Sequence, residues 1–307
     1  MSSVAVVKYS NGEPRAPYDA DIYTRMLTSG LCLLTGAKDV ADAIHRLVPG
    51  NTVGVKTNCV TRKTNSTPVP LIDALARLLV DAGHLENDIV VWDRTSRELA
   101  GAGFTLNATT KGRQCIGTDA NGFGYSDSFY TSGNVSSLIS RVLTELVDCN
   151  INVPVLKDHS IAGMSAGLKN MYGAINNPNK YHADNCNPFC AHVSALEPIR
   201  TKNKLAIIDA VWVQYQGGPG YVADYFTPYG GLIISADPIA ADRIGLEILE
   251  HLRKANGQPS LERAGRPVKY LATAEDLGLG TATISRIDLR VVAVDADGRT
   301  KPAELLS

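Results

Sequence analysis

Lys157, Asp158 and His159 end the apolar run Cys149-Asn150-Ile151-Asn152-Val153-Pro154-Val155-Leu156, and Lys169 and Asn170 follow shortly after. A histidine whose ordinary pKa lies near neutrality can take or give a proton. His159 is therefore the candidate acid or base, with Asp158 or Asp209 to orient it. Lys157 and Lys169 are the catalytic cations beside it. Three further apolar runs end in polar groups: Lys56-Thr57-Asn58, Asp93-Arg94 and Asp209. In open parallel sheets ligands bind beyond the carboxyl ends of strands, so these ends are expected to converge on one crevice. Lys56, Asn58, Asp93, Arg94, Asn170, Asn177, Lys180 and Asp209 are the candidate ligand contacts. The lysines act there as mobile point charges for an anionic group. Gln216, Gly217 and Gly218 join them, because paired glycines let backbone approach a ligand closely. The plain alternative is that charged residues simply end strands at water.

A second constellation is His182, Cys186, Cys190 and His192, spaced His-x3-Cys-x3-Cys-x-His. Imidazole and thiolate together suit Zn, Fe, Ni or Cu. The usual Cys-x2-Cys pair is absent, and Asn187-Pro188 interrupts any helix that would stack the four. A Cys186–Cys190 disulfide and ordinary buried thiols are the competing readings. No phosphate-binding loop, dinucleotide fingerprint or nucleophile elbow occurs.

These groups need a scaffold, and the hydrophobic spacing describes one. Strands are expected at 4–8, 52–56, 88–93, 149–156, 204–210 and 231–238. Helices are expected at 22–30, 37–47, 69–82, 135–146, 163–171 and 239–254. A short helix and a closing strand near 288–294 follow Gly265. Residues 57–70 and 176–189 read as polar loops, and 105–135 as irregular. Strand, loop, helix, strand over 52–93 is a βαβ unit. The expected fold is α/β, a mostly parallel sheet with flanking helices and long irregular insertions, in one domain over 1–307.

Composition narrows the partners. The 307 residues carry 30 Lys+Arg against 31 Asp+Glu, a net charge of −1, which gives no footprint for nucleic acid. No apolar run is long enough for a membrane span. The opening MSSVAVVKYSNGEP lacks the features of an export signal. The default expectation is a cytoplasmic location, with an exported mature form as the alternative. The partner expected is a small anionic molecule, and self-association is left open.

The strings VGVKTNCVT, IVVWDR, INVPVLKDHSIAGMSAGLKNMYGAINNPNKYH, LAIIDA, QYQGGPGY and GLIISADPIAADRIG, in this order, resemble the domain-of-unknown-function 362 family over about residues 50 to 250. Some members carry ferredoxin-type iron–sulfur motifs, and the Cys-x2-Cys-x2-Cys run these need is absent here. Many close relatives carry a twin-arginine signal, also absent. The family is distantly similar to nickel-pincer lactate racemases, which use histidines and a lysine around a nucleotide-derived nickel cofactor. Lys157, His159, Lys169 and His182 are the positions that could play such parts, without a residue-by-residue match. Three functions stand open: an enzyme acting on a small anion, a transition-metal or redox carrier at His182 and Cys186, and a non-catalytic binding or assembly protein using the Tyr- and Gly-rich stretch 214–229.

Overall fold

The computed structural model describes residues 1–10 and 18–306; the end of the opening stretch lies outside them. In chain order the strands are β1 (Ser2–Tyr9), β2 (Val53–Lys56), β3 (Ile89–Asp93), β4 (Gln114–Gly117), β5 (Tyr130–Ser132), β6 (Val135–Ser137), β7 (Cys149–Asn152), β8 (Val155–His159), β9 (Gly163–Ser165), β10 (Asn203–Gln214), β11 (Phe226–Ser235), β12 (Ile287–Val294) and β13 (Thr300–Pro302). Eleven of them form one mixed sheet, ordered β13-β12-β1-β11-β10-β7-β2-β3-β4. β8 runs parallel beside β10, and β9 folds back on β8. β5 and β6 form a separate hairpin. β7, β2, β3 and β4 are mutually parallel, so their carboxyl ends share one edge. The fold is α/β, as its patterning predicts.

Nine α-helices are assigned among the described residues: α1 (Ala20–Thr35), α2 (Val40–Leu47), α3 (Val69–Asp81), α4 (Ser96–Ala102), α5 (Gly167–Asn170), α6 (Phe189–Ala195), α7 (Glu197–Lys202), α8 (Pro238–Ala255) and α9 (Tyr270–Asp276). Local chemistry sets the ends of the longer ones. The Asp19 carboxylate accepts the Ile22 amide at the start of α1, and Gly36 in the left-handed region closes it. Asp237 accepts two amides at the start of α8. Alternation along each strand sorts the core. Val53, Val55, Ile89, Val91 and Ile207 pack towards α1 and α3. Ala206, Ile208 and Ile233 pack towards α8, while Val90 and Trp92 join the cluster around α6 and α9.

Three expected elements differ. The helix expected at 135–146 is the strand β6 followed by a single wide helical turn at Val142–Leu146. Ser136 and Ser137 there bond across the hairpin and to Asn176 and Asn177 rather than lining a helix. The strand expected at 149–156 is two strands, because Pro154 has no N–H to continue a ladder. The helix expected at 163–171 begins with β9, and only 167–170 is α-helical. No helix among the described residues is long and apolar enough to cross a membrane.

Candidate functional site

β2, β3 and β8 deliver polar side chains to one hollow of about 210 Å³. Lys56, Asn58, Asp93, Arg94, Lys157, His159, Lys169, Asn170 and His182 all line it. The alternation of β8 decides which of its residues enter. Lys157 and His159 share one face, and Asp158 between them faces the other way.

Lys157 is completely buried. Its Nζ donates to Asn58 Oδ1 and to the Asn65 carbonyl, each at 2.8 Å. Neither acceptor is charged, and no carboxylate among the described residues pairs with the amine. Burial pulls its pKa down to about 7, so the amine gains or loses a proton near neutrality. Asn58 Nδ2 donates to Asn170 Oδ1 at 3.0 Å, Asn170 Nδ2 to Asn152 Oδ1 at 2.7 Å, and Asn152 Nδ2 to the Gly167 carbonyl at 2.8 Å. This chain of amides orients Asn58 so that its Oδ1 faces Lys157.

Lys169 sits on α5, whose first two amides are held by the buried Asp242 carboxyl, Gly167 N at 2.6 Å and Leu168 N at 2.9 Å. Burial pushes the Asp242 pKa up to about 7. Lys169 Nζ lies 3.7 Å from the Tyr172 ring centroid and 3.1 Å from His182 Nε2. Burial lowers its pKa, and among the described residues no carboxylate is bonded to it. His182 Nδ1 lies 3.0 Å from the Pro178 carbonyl. That nitrogen therefore carries the proton, and Nε2 accepts from Lys169.

His159 is fixed in the opposite sense. Its Nδ1 accepts the amides of Ile161 and Ala162, both at 3.1 Å. The proton therefore lies on Nε2. Burial, then the charge of Lys169, drives its pKa down to about 3. His159 is thus a neutral hydrogen-bond donor, and its ring stacks on His182 at 5.9 Å. Neither Asp158 nor Asp209 orients it, contrary to expectation; two backbone amides do.

Lys56 lines the hollow but is already neutralised. Its Nζ bonds Asp93 Oδ1 and the Thr57 carbonyl at 2.6 Å each, and approaches Asn170 Oδ1 at 3.4 Å. Asp93 also accepts the amides of Arg94 and Cys59. The pair stabilises the loop after β2. Gly173 makes room for it, since a Cβ there would stand 2.9 Å from Lys56 Nζ.

Several candidates lie elsewhere. Asp158 is paired to Arg253 at 3.1 Å and Arg266 at 2.8 Å, on the α8 side of the sheet. Gln216 accepts from the same two arginines. Gly217 turns the loop at φ 76°. The Gly218 amide donates to Asp158, and a Cβ on Gly218 would fall 1.9 Å from the Asp158 carbonyl oxygen. These glycines seat a loop on β8 rather than a ligand. Asn177 bonds Ser136 and Ser137, Lys180 is exposed over Tyr181, and Asp209 lines a different cavity.

The four metal candidates do not assemble. Among the described residues no three His, Cys, Asp or Glu side chains gather to hold an ion. His192 bonds Ser132, and His182 Nε2 is occupied by Lys169. Cys186 and Cys190 are free buried thiols, and burial raises both pKa values away from the thiolate a metal requires. With the proton of His159 on Nε2, no imidazole presents a free lone pair to the hollow, so this donor set does not suit a metal centre.

Glu98, Ser165, Tyr172 and Asn179 also line the hollow without having been singled out. Asn65, Asn152 and Asp242 act from behind it. A carboxylate set among alanines in the apolar stripe Ile239-Ala240-Ala241-Asp242 is the one sequence signal that could have found the last.

A family described as a domain of unknown function, DUF362, matches residues 53–247. No curated protein matches. Among solved structures, a structural-genomics target from Thermotoga maritima is similar at 14% identity and a TM-score of 0.45, over 81% of this chain and 60% of that one. The lactate racemase apoprotein from Thermoanaerobacterium thermosaccharolyticum is similar at 14% identity and a TM-score of 0.48, over 80% of this chain and 57% of that one. The chain thus spans less than two thirds of either.

Proposed function

The chain belongs to the DUF362 family, and we propose that this member is an enzyme that binds a small anion in the lysine hollow and moves a proton on it. The carrying observation is that Lys157 and Lys169 are both buried at the hollow and that, among the described residues, no carboxylate bonds to either. Two uncompensated buried ammonium groups are costly without a ligand, and a carboxylate or phosphate group offsets that cost. Lys169 holds the anion, and His159 donates from Nε2 to one of its oxygens. Lys157, poised near neutrality, takes a proton from the bound molecule as the free amine and returns it as the ammonium. A group with a pKa near the working pH is best placed for both halves of that exchange.

Calorimetric titration with oxalate and with sulfate tests the binding. Both anions should bind the wild type, and Lys169→Met should weaken both at least tenfold. Equal affinity in wild type and variant would remove the lysine hollow as the anion site.

A further inference from the structure

A second cavity, of about 600 Å³, lies on the α1–α3 side of the sheet. The loop from Lys63 to Thr67 separates it from the lysine hollow, since Asn65 lines this cavity while its carbonyl holds Lys157. Asp209 of β10 forms part of its wall, at the level of Val155 of β8. The Asp209 side chain has one hydrogen bond among the described residues, from the Val211 amide at 3.0 Å, and no cationic partner. It is 5% exposed. A buried carboxyl without a counter-ion destabilises a fold unless something meets it, and burial raises its pKa to about 7. Part of the same lining is aromatic. Trp212, Tyr221 and Phe226 contribute rings, the last two 5.1 Å apart between centroids. Aromatic faces attract cations through their quadrupole. Volume and lining match a pocket for a compact organic molecule.

We propose that this cavity binds an organic ammonium ion with an apolar or aromatic body, its charged nitrogen against the Asp209 carboxylate and its body against the aromatic wall. Lys63 also lines the cavity and is exposed, and among the described residues it forms no ion pair with Asp209. The inference uses neither Lys157 nor Lys169 and stands apart from the anion reading.

The test is calorimetry or fluorescence titration of the intact chain at pH 8 with phenethylamine and its neutral isostere 2-phenylethanol. The amine should bind at least tenfold tighter than the alcohol. Asp209→Asn, which keeps an acceptor for the Val211 amide, should abolish that preference. Equal binding of amine and alcohol by the wild type, no binding of either, or a preference retained in Asp209→Asn would each overturn the assignment. The wild-type comparison decides the matter even where a variant fails to fold.

Discussion

Replacing Lys157 by Met keeps the apolar stem and removes the titrating nitrogen. With a pKa of about 7, the amine is about 90% charged at pH 6 and about 10% charged at pH 8. Where the ammonium contributes to holding an anion, the wild type should lose about tenfold in apparent sulfate affinity between pH 6 and pH 8. Sulfate stays doubly charged across that window, so the protein alone supplies the change. His159, with its pKa near 3, contributes none of it. Lys157→Met should bind sulfate more weakly at pH 6, with much less variation between the two pH values. Stability supplies an independent reading. The folded pKa lies below the unfolded value, so between about pH 7 and about pH 10 the unfolded chain binds more protons at this site. The site's contribution to stability therefore rises with pH across that window. Below pH 7 its full penalty is present, at most on the order of a few kcal/mol. Asp209 and Asp242, whose pKa values are raised to about 7, act oppositely, losing stability as pH rises towards and past 7. They are common to both proteins and drop out of the difference. Urea unfolding at pH 6 and pH 10 should show Lys157→Met gaining on the wild type at the lower pH and losing that gain at the higher. A difference that does not move with pH, together with a wild-type sulfate affinity that stays flat, would refute the reasoning.

Asp158→Ala should destabilise the fold by about 3–5 kcal/mol in urea unfolding, because it strands Arg253 and Arg266 beside a vanished partner; a change near zero would contradict the buried pair. Nitrogen NMR of His159 should show Nδ1 unprotonated and Nε2 protonated from pH 5 to pH 8, and an imidazolium at pH 6 would contradict the two amide bonds found at Nδ1. Gly218→Ala should lower stability by about 1–3 kcal/mol, since its Cβ meets the Asp158 backbone; an unchanged denaturation midpoint would mean the loop is not seated as described.

Where apolar periodicity was strong, the sequence carried the fold. The runs expected at 52–56 and 88–93 are continuous and apolar, the one at 69–82 has a helical period, and they appear as β2, β3 and α3. The convergence of Lys56, Asp93, Lys157 and His159 was legible too, because parallel strands bring their carboxyl ends to one edge. The partition of roles was not legible. Asp158 lies between two residues of the hollow, and only the phase of β8 turns it towards Arg253, a residue distant in sequence. Asp209 looked like a fourth strand end, yet β10 runs on to Gln214, which leaves it inside the strand facing another cavity. His182 and Cys186 are close in sequence and perform unrelated tasks, because Lys169 takes the imidazole while the thiol joins the core. The stretch 135–146 has helical spacing, but its serines found partners across a hairpin. The failure at Asp158 concerns partners distant in sequence that no local pattern encodes, whereas the break at Pro154 is a local signal.

Crystals of the protein soaked in sodium selenate would locate a tetrahedral anion by the anomalous signal of selenium. The account predicts one strong peak within hydrogen-bonding reach of Lys157 Nζ, Lys169 Nζ and His159 Nε2, weakened or absent in Lys169→Met. A peak confined to surface arginines, or none in the hollow at saturating selenate, would contradict it.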